Sequence, residues 1–258
     1  MPVFRMQISI ITICYNNECD IRPTLESVIN QTYLDIEYII VDGASKDNTL
    51  SIVNEYKDKI AKIISEPDNG LYDAINKGIK NATGEIVGLI HAGDRLYDND
   101  VIEKIANHFK ENNIEALYGH SQVTNRENRV VRINQSPPFK KTLFKQGWFP
   151  SHQSFYAKRE LFQQYGFYKL KYRISADYEL LLRFLYFNNV KVSLLDNFII
   201  IFSLGGTSTK SLQNILNLNK ECIHAWKDNG ATMPIYTIPM KLLRKMPQFI
   251  KAKLLYYD

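Results

Sequence analysis

The chain has 258 residues, of which 45% are hydrophobic and 23% are charged. This composition is typical of globular proteins and allows one large domain, or one domain with an appendage. The net charge of +5 arises from 32 basic and 27 acidic residues, but five basic residues and no acidic residue lie between positions 229 and 257. The rest of the chain is balanced, so a general nucleic-acid-binding face is disfavoured.

The three cysteines, Cys14, Cys19 and Cys222, are odd in number and lack the spacing of a zinc site. Free thiols are typical of a reducing compartment, so we expect a cytoplasmic protein. The N-terminal apolar run is not followed by a small-residue cleavage site, which argues against a signal peptide. No apolar run approaches the roughly 20 residues that span a bilayer.

The first 120 residues alternate between short runs rich in Ile and Val and segments with helical spacing. A β-α-β-α order predicts an α/β fold, with a mostly parallel sheet and helices on both faces. Ligands of such sheets bind beyond the carboxyl ends of the strands. Asp100 and Glu103 have the spacing of a capping box at a helix start. The predicted strands are 7–14, 37–42, 61–66 and 85–91, and the predicted helices are 20–31, 48–59, 72–83 and 98–113.

The second half is less regular. Residues 115–123 and 128–133 have the pattern of two strands, and a Pro- and aromatic-rich loop follows them up to residue 153. A strand and a helix are predicted within 154–166, and a strong helix within 175–189. One or two strands are predicted within 191–202, and a last helix at about 209–228.

Acidic residues follow three of the predicted strands, namely Asp42, Glu66 and Asp94. Carboxylates gathered at one crevice can bind a divalent cation or the hydroxyl groups of a ligand. Taken singly, each can equally cap a turn or a helix. The glycine-rich signatures of dinucleotide and P-loop sites do not occur, so any nucleotide is held in another way.

The order of several sequence blocks resembles family 2 glycosyltransferases of the GT-A fold. The blocks are "ISIITICYNNE", "TLESVINQTYLDIEYIIVDGASKDNT" and "SEPDNGLYDAINKGIKNATGEIVGLIHAGD". The third block is similar to enzymes that build bacterial capsules and exopolysaccharides, including the colanic-acid type. The resemblance is strong over residues 7–120 and looser up to about 205.

The resemblance implies transfer of a sugar from a nucleotide-sugar to a hydroxyl of a glycan or lipid-linked acceptor, with inversion at the anomeric carbon. A UDP-sugar is the first expectation and a GDP-sugar the next. It also implies a division into a nucleotide-sugar-binding half (1–120), an acceptor and catalytic-base half of the same domain (121–208), and C-terminal helices (209–258). A catalytically idle nucleotide-sugar-binding protein is the alternative. A nucleotidyltransferase is disfavoured, because "YNNECDIRP" lacks a glycine-rich loop.

The resemblance also assigns individual residues. Asp177, in "SADYELLLR", matches the general base, although capping of its helix is equally compatible with its position. Tyr72 and Asn76 lie on one face of a predicted helix, where packing is the alternative for Tyr72. The residues expected to bind the nucleotide-sugar are Thr12, Tyr15, Asn17, Asp42, Asp68, Tyr72, Asn76, Ala92 and Gly93.

The metal site implied by the resemblance is sparse. Relatives carry two or three acidic residues in the block that here reads "HAGD", and only Asp94 remains. Mg²⁺ or Mn²⁺ would then be held by one carboxylate together with the donor phosphates and water. His91 is either a second ligand, which would favour Mn²⁺, or a residue that orients a neighbouring loop.

Four further residues are expected near the acceptor or the pyrophosphate. His152 and Gln153 stand in "FPSHQS", and Trp148 precedes them. Trp148 can stack on a sugar or pack in the core. Arg183 can reach a phosphate or pair with Glu179 one helical turn away.

The C-terminal tail combines leucines with five cations. Two interpretations remain open: a helix packed on the body with a solvated basic face, or a segment that lies peripherally on the cytoplasmic face of the inner membrane. The apolar residues concerned are Leu242, Leu243, Met246, Phe249, Ile250, Leu254 and Leu255.

Overall fold

The computed structural model describes residues 6–204 and 212–244. Its first half alternates strands and helices in the order that the sequence predicts, with one additional two-residue strand. The elements are β1 (Ile8–Cys14), α1 (Ile21–Ile29), β2 (Ile36–Asp42), α2 (Thr49–Asn54), β3 (Lys62–Ser65), α3 (Leu71–Asn81), β4 (Ile86–His91), β5 (Arg95–Leu96) and α4 (Val101–Glu111).

Within the described ranges, the second half adds four strands, four α-helices, a π-helix at Leu182–Phe187 and a further helical stretch at residues 237–244. The segment 191–202, predicted as one or two strands, is a single strand. The predicted loop before residue 153 contains one short helix. The elements are β6 (Ala116–Thr124), β7 (Val130–Asn134), α5 (Thr142–Lys145), β8 (Phe155–Lys158), α6 (Arg159–Tyr165), α7 (Ala176–Leu181), β9 (Val192–Ser203) and α8 (Leu212–Asp228).

The strands of the described residues form one nine-stranded sheet in the order β3-β2-β1-β4-β8-β6-β9-β5, with β7 beside β6. β1 to β4 run parallel, and Ile8 lies opposite Ile36 on one side and Ile86 on the other. β8 is antiparallel to both β4 and β6, whereas β6 and β9 are parallel. The carboxyl ends of β1, β2 and β4 therefore meet at one edge of the sheet.

Alternation along β1 distributes its side chains between two apolar layers. Ile11 and Ile13 pack with α3, α6, α7 and α8 on one face. Ile8 and Ile10 pack with α1, α2 and α4 on the other face. The prediction of an α/β fold with helices on both faces is confirmed.

Two local predictions need correction. The helix expected over 48–59 ends at Asn54, and a 3₁₀ turn at Lys57–Lys59 follows it. Asp100 does precede α4, but it caps no backbone N–H with its side chain. Its carboxylate pairs instead with Lys104 at 2.5 Å, and Glu103 accepts a hydrogen bond from Thr32. The capping box is therefore not formed.

Across residues 6–204 and 212–244, no helix has the length and apolar character needed to cross a membrane. The tail is described only as far as Arg244, and residues 237–244 are helical. The tail residues Met246, Phe249, Ile250, Leu254 and Leu255 lie outside the described residues.

Candidate active site

A cleft of about 2600 Å³ opens at the carboxyl ends of β1, β2 and β4 and extends across β6, β7 and α8. Small-molecule sites usually occupy about 300–1,000 Å³, so the cleft has room for two substrates. Most of the residues singled out in the sequence line it: Tyr15, Asn17, Asp68, Tyr72, His91, Ala92, Gly93, Asp94, Trp148, His152, Gln153 and Asp177.

One end of the cleft is formed by the loops that follow β1, β2 and β3. Tyr15 is 56% exposed, and Asn17 accepts a hydrogen bond from the Tyr15 N–H at 2.8 Å. Asp68 accepts one from the Gly70 N–H at 2.8 Å. A Cβ on Gly43 would lie 2.6 Å from Asp68 Oδ2 and 3.2 Å from Tyr15 Cδ2. The absent side chain at Gly43 thus lets an aromatic face and a carboxylate meet, which suits stacking and hydrogen bonding to a nucleoside.

Asp94 is held rigidly just beyond the end of β4. Its Oδ2 accepts a hydrogen bond from Gln153 Nε2 at 2.8 Å, and its Oδ1 accepts one from the Ser203 N–H at 2.9 Å. The Thr24 hydroxyl donates to the Asp94 carbonyl at 2.6 Å. Burial raises the pKa of Asp94 to about 6. A cation beside this carboxylate would favour its ionised form.

Asp177 lies in the first turn of α7 and also lines the cleft. Its Oδ2 lies 3.3 Å from His152 Nδ1, and its Oδ1 lies 3.3 Å from the Tyr72 hydroxyl. Tyr72 also donates to the Ile174 carbonyl at 2.8 Å. Burial acts to raise the pKa of Asp177, but the hydrogen bond and charge of His152 outweigh it and hold the pKa below its usual value. Asp177 is therefore an ionised carboxylate at neutral pH.

The two histidines of the cleft contact each other. His91 Nε2 lies 2.8 Å from His152 Nε2. Burial, together with the proximity of His152, lowers the pKa of His91 to about 3, so His91 is neutral. Within the described residues, the buried His91 Nδ1 has no hydrogen-bond partner.

Adjacent residues therefore connect the two carboxylates. His152 contacts Asp177, whereas Gln153 donates to Asp94 and accepts the His91 N–H at 2.8 Å. We expected this pair at the acceptor or pyrophosphate. The sequence did not predict this connecting role, because the contacts join residues that are distant along the chain. Asp94 lies 59 residues from Gln153, and His91 lies 61 and 62 residues from His152 and Gln153. Thr24 and Ser203 hold Asp94 in place, and the sequence did not predict this for the same reason.

The residues near Asp94 suit a metal site in which the protein supplies only some of the ligands. Within the described ranges, no group of three or more His, Cys, Asp or Glu side chains could hold a metal ion. The buried Asp94 carboxylate and the unpartnered His91 Nδ1 offer at most two protein ligands. This donor set fits a cation whose remaining ligands are phosphates and water.

Two of the residues expected at the nucleotide are buried under the sheet edge and do not line the cleft. Thr12 is fully buried, and its hydroxyl lies 3.0 Å from that of Tyr38. Asp42 is also fully buried and accepts hydrogen bonds from Ser45 and Ser65. These predictions are corrected, since strand alternation directs both side chains into the protein. Asp42 instead fixes the loop that lines the cleft.

Two more residues act in packing. The Asn76 side chain bonds both the carbonyl and the N–H of Tyr168, at 2.8 and 3.0 Å. Arg183 pairs with Glu179 at 3.0 Å and donates to the carbonyls of Gly166 and Phe167. Neither residue lines the cleft, so their predicted binding roles are corrected, and the pairing alternative for Arg183 is confirmed. Trp148 both lines the cleft and packs edge-on against Tyr118.

The sequence profile of "Glycosyl transferase family 2" matches residues 9–173. The chain belongs to this family. An uncharacterized glycosyltransferase of Mycobacterium tuberculosis is 32% identical over 185 residues, covering 68% of each chain. A "PGL/p-HBAD biosynthesis glycosyltransferase" of Mycobacterium bovis is 32% identical over 178 residues, with the same coverage. The protein is therefore a glycosyltransferase.

Solved structures support the GT-A fold of this glycosyltransferase. Staphylococcus aureus TarS 1–349 in complex with UDP has a TM-score of 0.66 at 17% identity, covering 98% of this chain and 73% of TarS 1–349. The glycosyltransferase spans only 44% of a longer TarS chain. A mannosyltransferase from Pyrobaculum calidifontis, in complex with GDP-Man and Mn²⁺, has a TM-score of 0.62 at 17% identity, covering 98% and 75%. At these identities the likeness concerns the fold.

Proposed function

We propose that this glycosyltransferase moves a sugar from a UDP-sugar to a hydroxyl of a glycan or lipid-linked acceptor, with inversion, in bacterial surface polysaccharide assembly. The observation behind this proposal is the pair of carboxylates, Asp94 and Asp177, joined by His152 and Gln153 in one cleft. The UDP complex of TarS and the biosynthetic role in the printed name of the Mycobacterium bovis relative support it.

Asp177 is the proposed general base. An inverting transfer needs a carboxylate that takes the proton of the incoming hydroxyl on the face opposite the leaving group. The ionised carboxylate of Asp177 meets this requirement, and His152 and Tyr72 fix its orientation. The proton passes to one Asp177 oxygen as the oxygen of the acceptor attacks the anomeric carbon, and the bond between that carbon and the diphosphate oxygen breaks to release the nucleoside diphosphate.

Asp94 is proposed to hold Mn²⁺ or Mg²⁺ beside the diphosphate of the nucleotide-sugar, with His91 Nδ1 as a second metal ligand. When bound, such a cation neutralises the charge that develops on the leaving diphosphate. Gln153 and the Ser203 N–H keep the Asp94 carboxylate directed into the cleft. Tyr15, Asn17 and Asp68 are proposed to receive the nucleoside.

We propose that consecutive segments of the chain have different roles. Residues 1–120 supply the nucleotide-sugar side of the cleft, and residues 121–208 supply the base and the acceptor side. The C-terminal helices within residues 209–258 are the proposed membrane-surface segment. We place the enzyme in the cytoplasm, with peripheral contact to the cytoplasmic face of the inner membrane. The exposed side chains of Leu242, Leu243 and Ile235 support this contact.

A panel of UDP- and GDP-sugars with Mn²⁺ or EDTA, scored for release of nucleoside diphosphate, tests the proposal. We expect metal-dependent release from a UDP-sugar, and loss of most of it in Asp94→Ala and Asp177→Ala with the fold intact. Glu160→Gln, at an exposed position in α6, is the matched control. An undiminished Asp177→Ala enzyme would show that the base has been misassigned.

The single carboxylate in "HAGD" favours one alternative, a catalytically idle nucleotide-sugar-binding protein. In that case UDP-sugars bind to the cleft but no nucleoside diphosphate is released with any acceptor. The GDP-Man complex of the Pyrobaculum calidifontis neighbour supports a second alternative, a GDP-sugar-dependent transferase. Donor binding, measured alongside release for UDP- and GDP-sugars, separates these three proposals.

A further inference from the structure

The acceptor end of the cleft is rich in basic side chains. Loop 169–175, α8 and the helical residues 237–244 surround it, next to Asp177. Two acidic side chains, Asp177 and Glu221, line this end among the described residues. The basic residues that line it are Lys171, Arg173, Lys220, His224, Lys241 and Arg244.

The charge of Glu221 is already engaged by the backbone. Its carboxylate accepts hydrogen bonds from the N–H groups of Arg173, Ile174 and Ser175, at 2.9, 3.0 and 2.8 Å. These three bonds fasten α8 to the loop that leads into Asp177. Glu221 therefore builds this wall and forms no ion pair with the surrounding cations in the described part of the chain.

Four of the cations have no carboxylate partner within the described residues. Lys171 does pair with Asp228. In contrast, the polar contact of the half-buried Lys241 is Cys222 Sγ at 3.9 Å, and its ammonium lies 6.0 Å from the centre of the Phe149 ring. Arg244 donates to the neutral amide of Gln146. The cations without a carboxylate partner are Arg173, Lys220, Lys241 and Arg244.

The backbone places two of these cations firmly. The Thr237 hydroxyl donates to the Lys145 carbonyl at 2.6 Å. A Cβ on Gly147 would lie 2.6 Å from Lys241 Cβ, and Gly147 has a φ of +74°. Only glycine adopts this conformation at low cost while letting the helix approach so closely. Lys241 and Arg244, three residues apart, lie on one side of the helix.

We propose that the acceptor carries a phosphate or diphosphate group, which Arg173, Lys220, Lys241 and Arg244 bind beside the reacting hydroxyl. This inference rests on the proposed function, because it assumes that the cleft holds donor and acceptor together. Guanidinium and ammonium groups bind phosphate oxygens through charge-assisted hydrogen bonds. The anion would supply the charge partners that the protein itself does not provide to these side chains.

The test measures binding of three probes to the full chain saturated with UDP and Mn²⁺, so that the donor site is filled. The probes are N-acetylglucosamine 1-phosphate, N-acetylglucosaminyl diphosphodecane and the neutral decyl N-acetylglucosaminide. We expect both phosphate probes to bind more tightly than the neutral probe, with affinity that falls as salt rises. Binding of the diphosphodecane alone would also support the inference and would identify a lipid-linked source. Equal binding of the neutral probe would overturn it.

Variants locate the site. Lys241→Ala/Arg244→Ala, and separately Arg173→Ala, should each weaken the phosphate probes about tenfold or more while UDP affinity stays unchanged. Lys227→Ala removes an exposed cation from α8 that does not line the cleft and should change nothing. An equal loss in Lys227→Ala would overturn the inference. Release of nucleoside diphosphate is followed in parallel, so a failure of the donor reaction is distinguished from a failure of phosphate binding.

Discussion

The contact between His152 and Asp177 explains how a buried carboxylate stays ionised and oriented. The imidazole Nδ1 lies 3.3 Å from the carboxylate, and its hydrogen bond and charge lower the pKa that burial alone would raise. His152 touches the proposed base but not the proposed metal ligand Asp94, which bonds the next residue, Gln153. One dipeptide thus contacts both the proposed base and the proposed metal ligand.

Substitution of His152 should therefore reduce kcat more than it changes the donor KM. We expect His152→Ala to lower kcat by about tenfold or more, because the base loses its orienting N–H. His152→Asn is the conservative variant, since its amide N–H can occupy the position of Nδ1, and it should recover part of the activity. Steady-state kinetics with the preferred donor measures both constants. Equal kcat in the wild-type and His152→Ala enzymes would exclude an orienting role.

The sequence predicts well which segments of the chain lie at the cleft. It predicts less well which individual side chains of those segments face the cleft. Tyr15, Asp68 and Asp94 lie in loops just past strand ends, and each reaches the cleft. Thr12 lies within β1, where neighbouring side chains point to opposite faces, and it faces the core. Asn76 and Arg183 are held by partners whose positions depend on how loop 165–174 folds. Sequence spacing contains no information about that fold.

At the scale of elements, a buried ion pair fixes α7 to the loop before it. The fully buried Glu179 pairs with Arg183 at 3.0 Å and with Lys169 at 2.7 Å. Arg183 in turn donates to the carbonyls of Gly166 and Phe167. The pair therefore closes the loop over α7, whose first turn presents Asp177.

Removing the charge of Glu179 should destabilise the protein strongly. Glu179→Gln leaves the buried Arg183 uncompensated, and breaking such pairs costs about 3–5 kcal/mol. Glu160→Gln, which removes an exposed partner of Lys158 at 3.8 Å, should cost less than about 1 kcal/mol. Urea denaturation of the three proteins gives the free energies of unfolding. Similar values for the two variants would contradict the structural role of Glu179.

The same pair predicts a dependence of stability on pH. Burial tends to raise the pKa of Glu179, but the hydrogen bonds and charge of Arg183, together with Lys169, lower it below its usual value. The unfolded chain then binds the proton more readily than the folded chain. The stabilisation is complete above the unfolded pKa of about 4.3 and is lost as pH falls through the folded pKa. The free energy of unfolding should fall on acidification from about pH 5, and less so in Glu179→Gln.

β4 and β8 meet at a contact that tolerates no added atom. A Cβ on Gly88 would lie 2.1 Å from Tyr156 Cε1, and the Tyr156 ring is fully buried. We expect Gly88→Ala to cost about 1–3 kcal/mol through overpacking. Replacing the ring as well, in Gly88→Ala/Tyr156→Leu, should relieve the clash, so the two effects will not be additive. Thermal unfolding of both variants and of Tyr156→Leu measures the coupling, and additive effects would refute the clash.

Over the whole molecule, the parallel half of the sheet could be predicted from the sequence, because its elements are local and alternate regularly. The second half could not be predicted in the same detail. β8 is inserted between β4 and β6, and β9 lies between β6 and β5. These neighbouring strands are distant in sequence, so the local periodicity of hydrophobic residues does not indicate that they pair. The same long-range pairing brings Ser203, at the end of β9, to Asp94.

Residues 235–244 also carry an exposed apolar surface, which gives the last prediction. Leu242 and Leu243 are 59% and 65% exposed, and Ile235 is 94% exposed, while Lys241 and Arg244 on the same helix line the cleft. Apolar side chains beside cations favour an anionic bilayer surface, where each basic residue contributes about 1 kcal/mol. Leu242→Asp/Leu243→Asp should therefore reduce co-sedimentation with phosphatidylglycerol vesicles and leave nucleoside diphosphate release with a soluble acceptor unchanged. Leu34→Asp, at another exposed leucine far from this helix in sequence, is the matched control. Equal sedimentation of all three proteins, or equal binding to neutral phosphatidylcholine vesicles, would contradict a membrane-facing role for this surface.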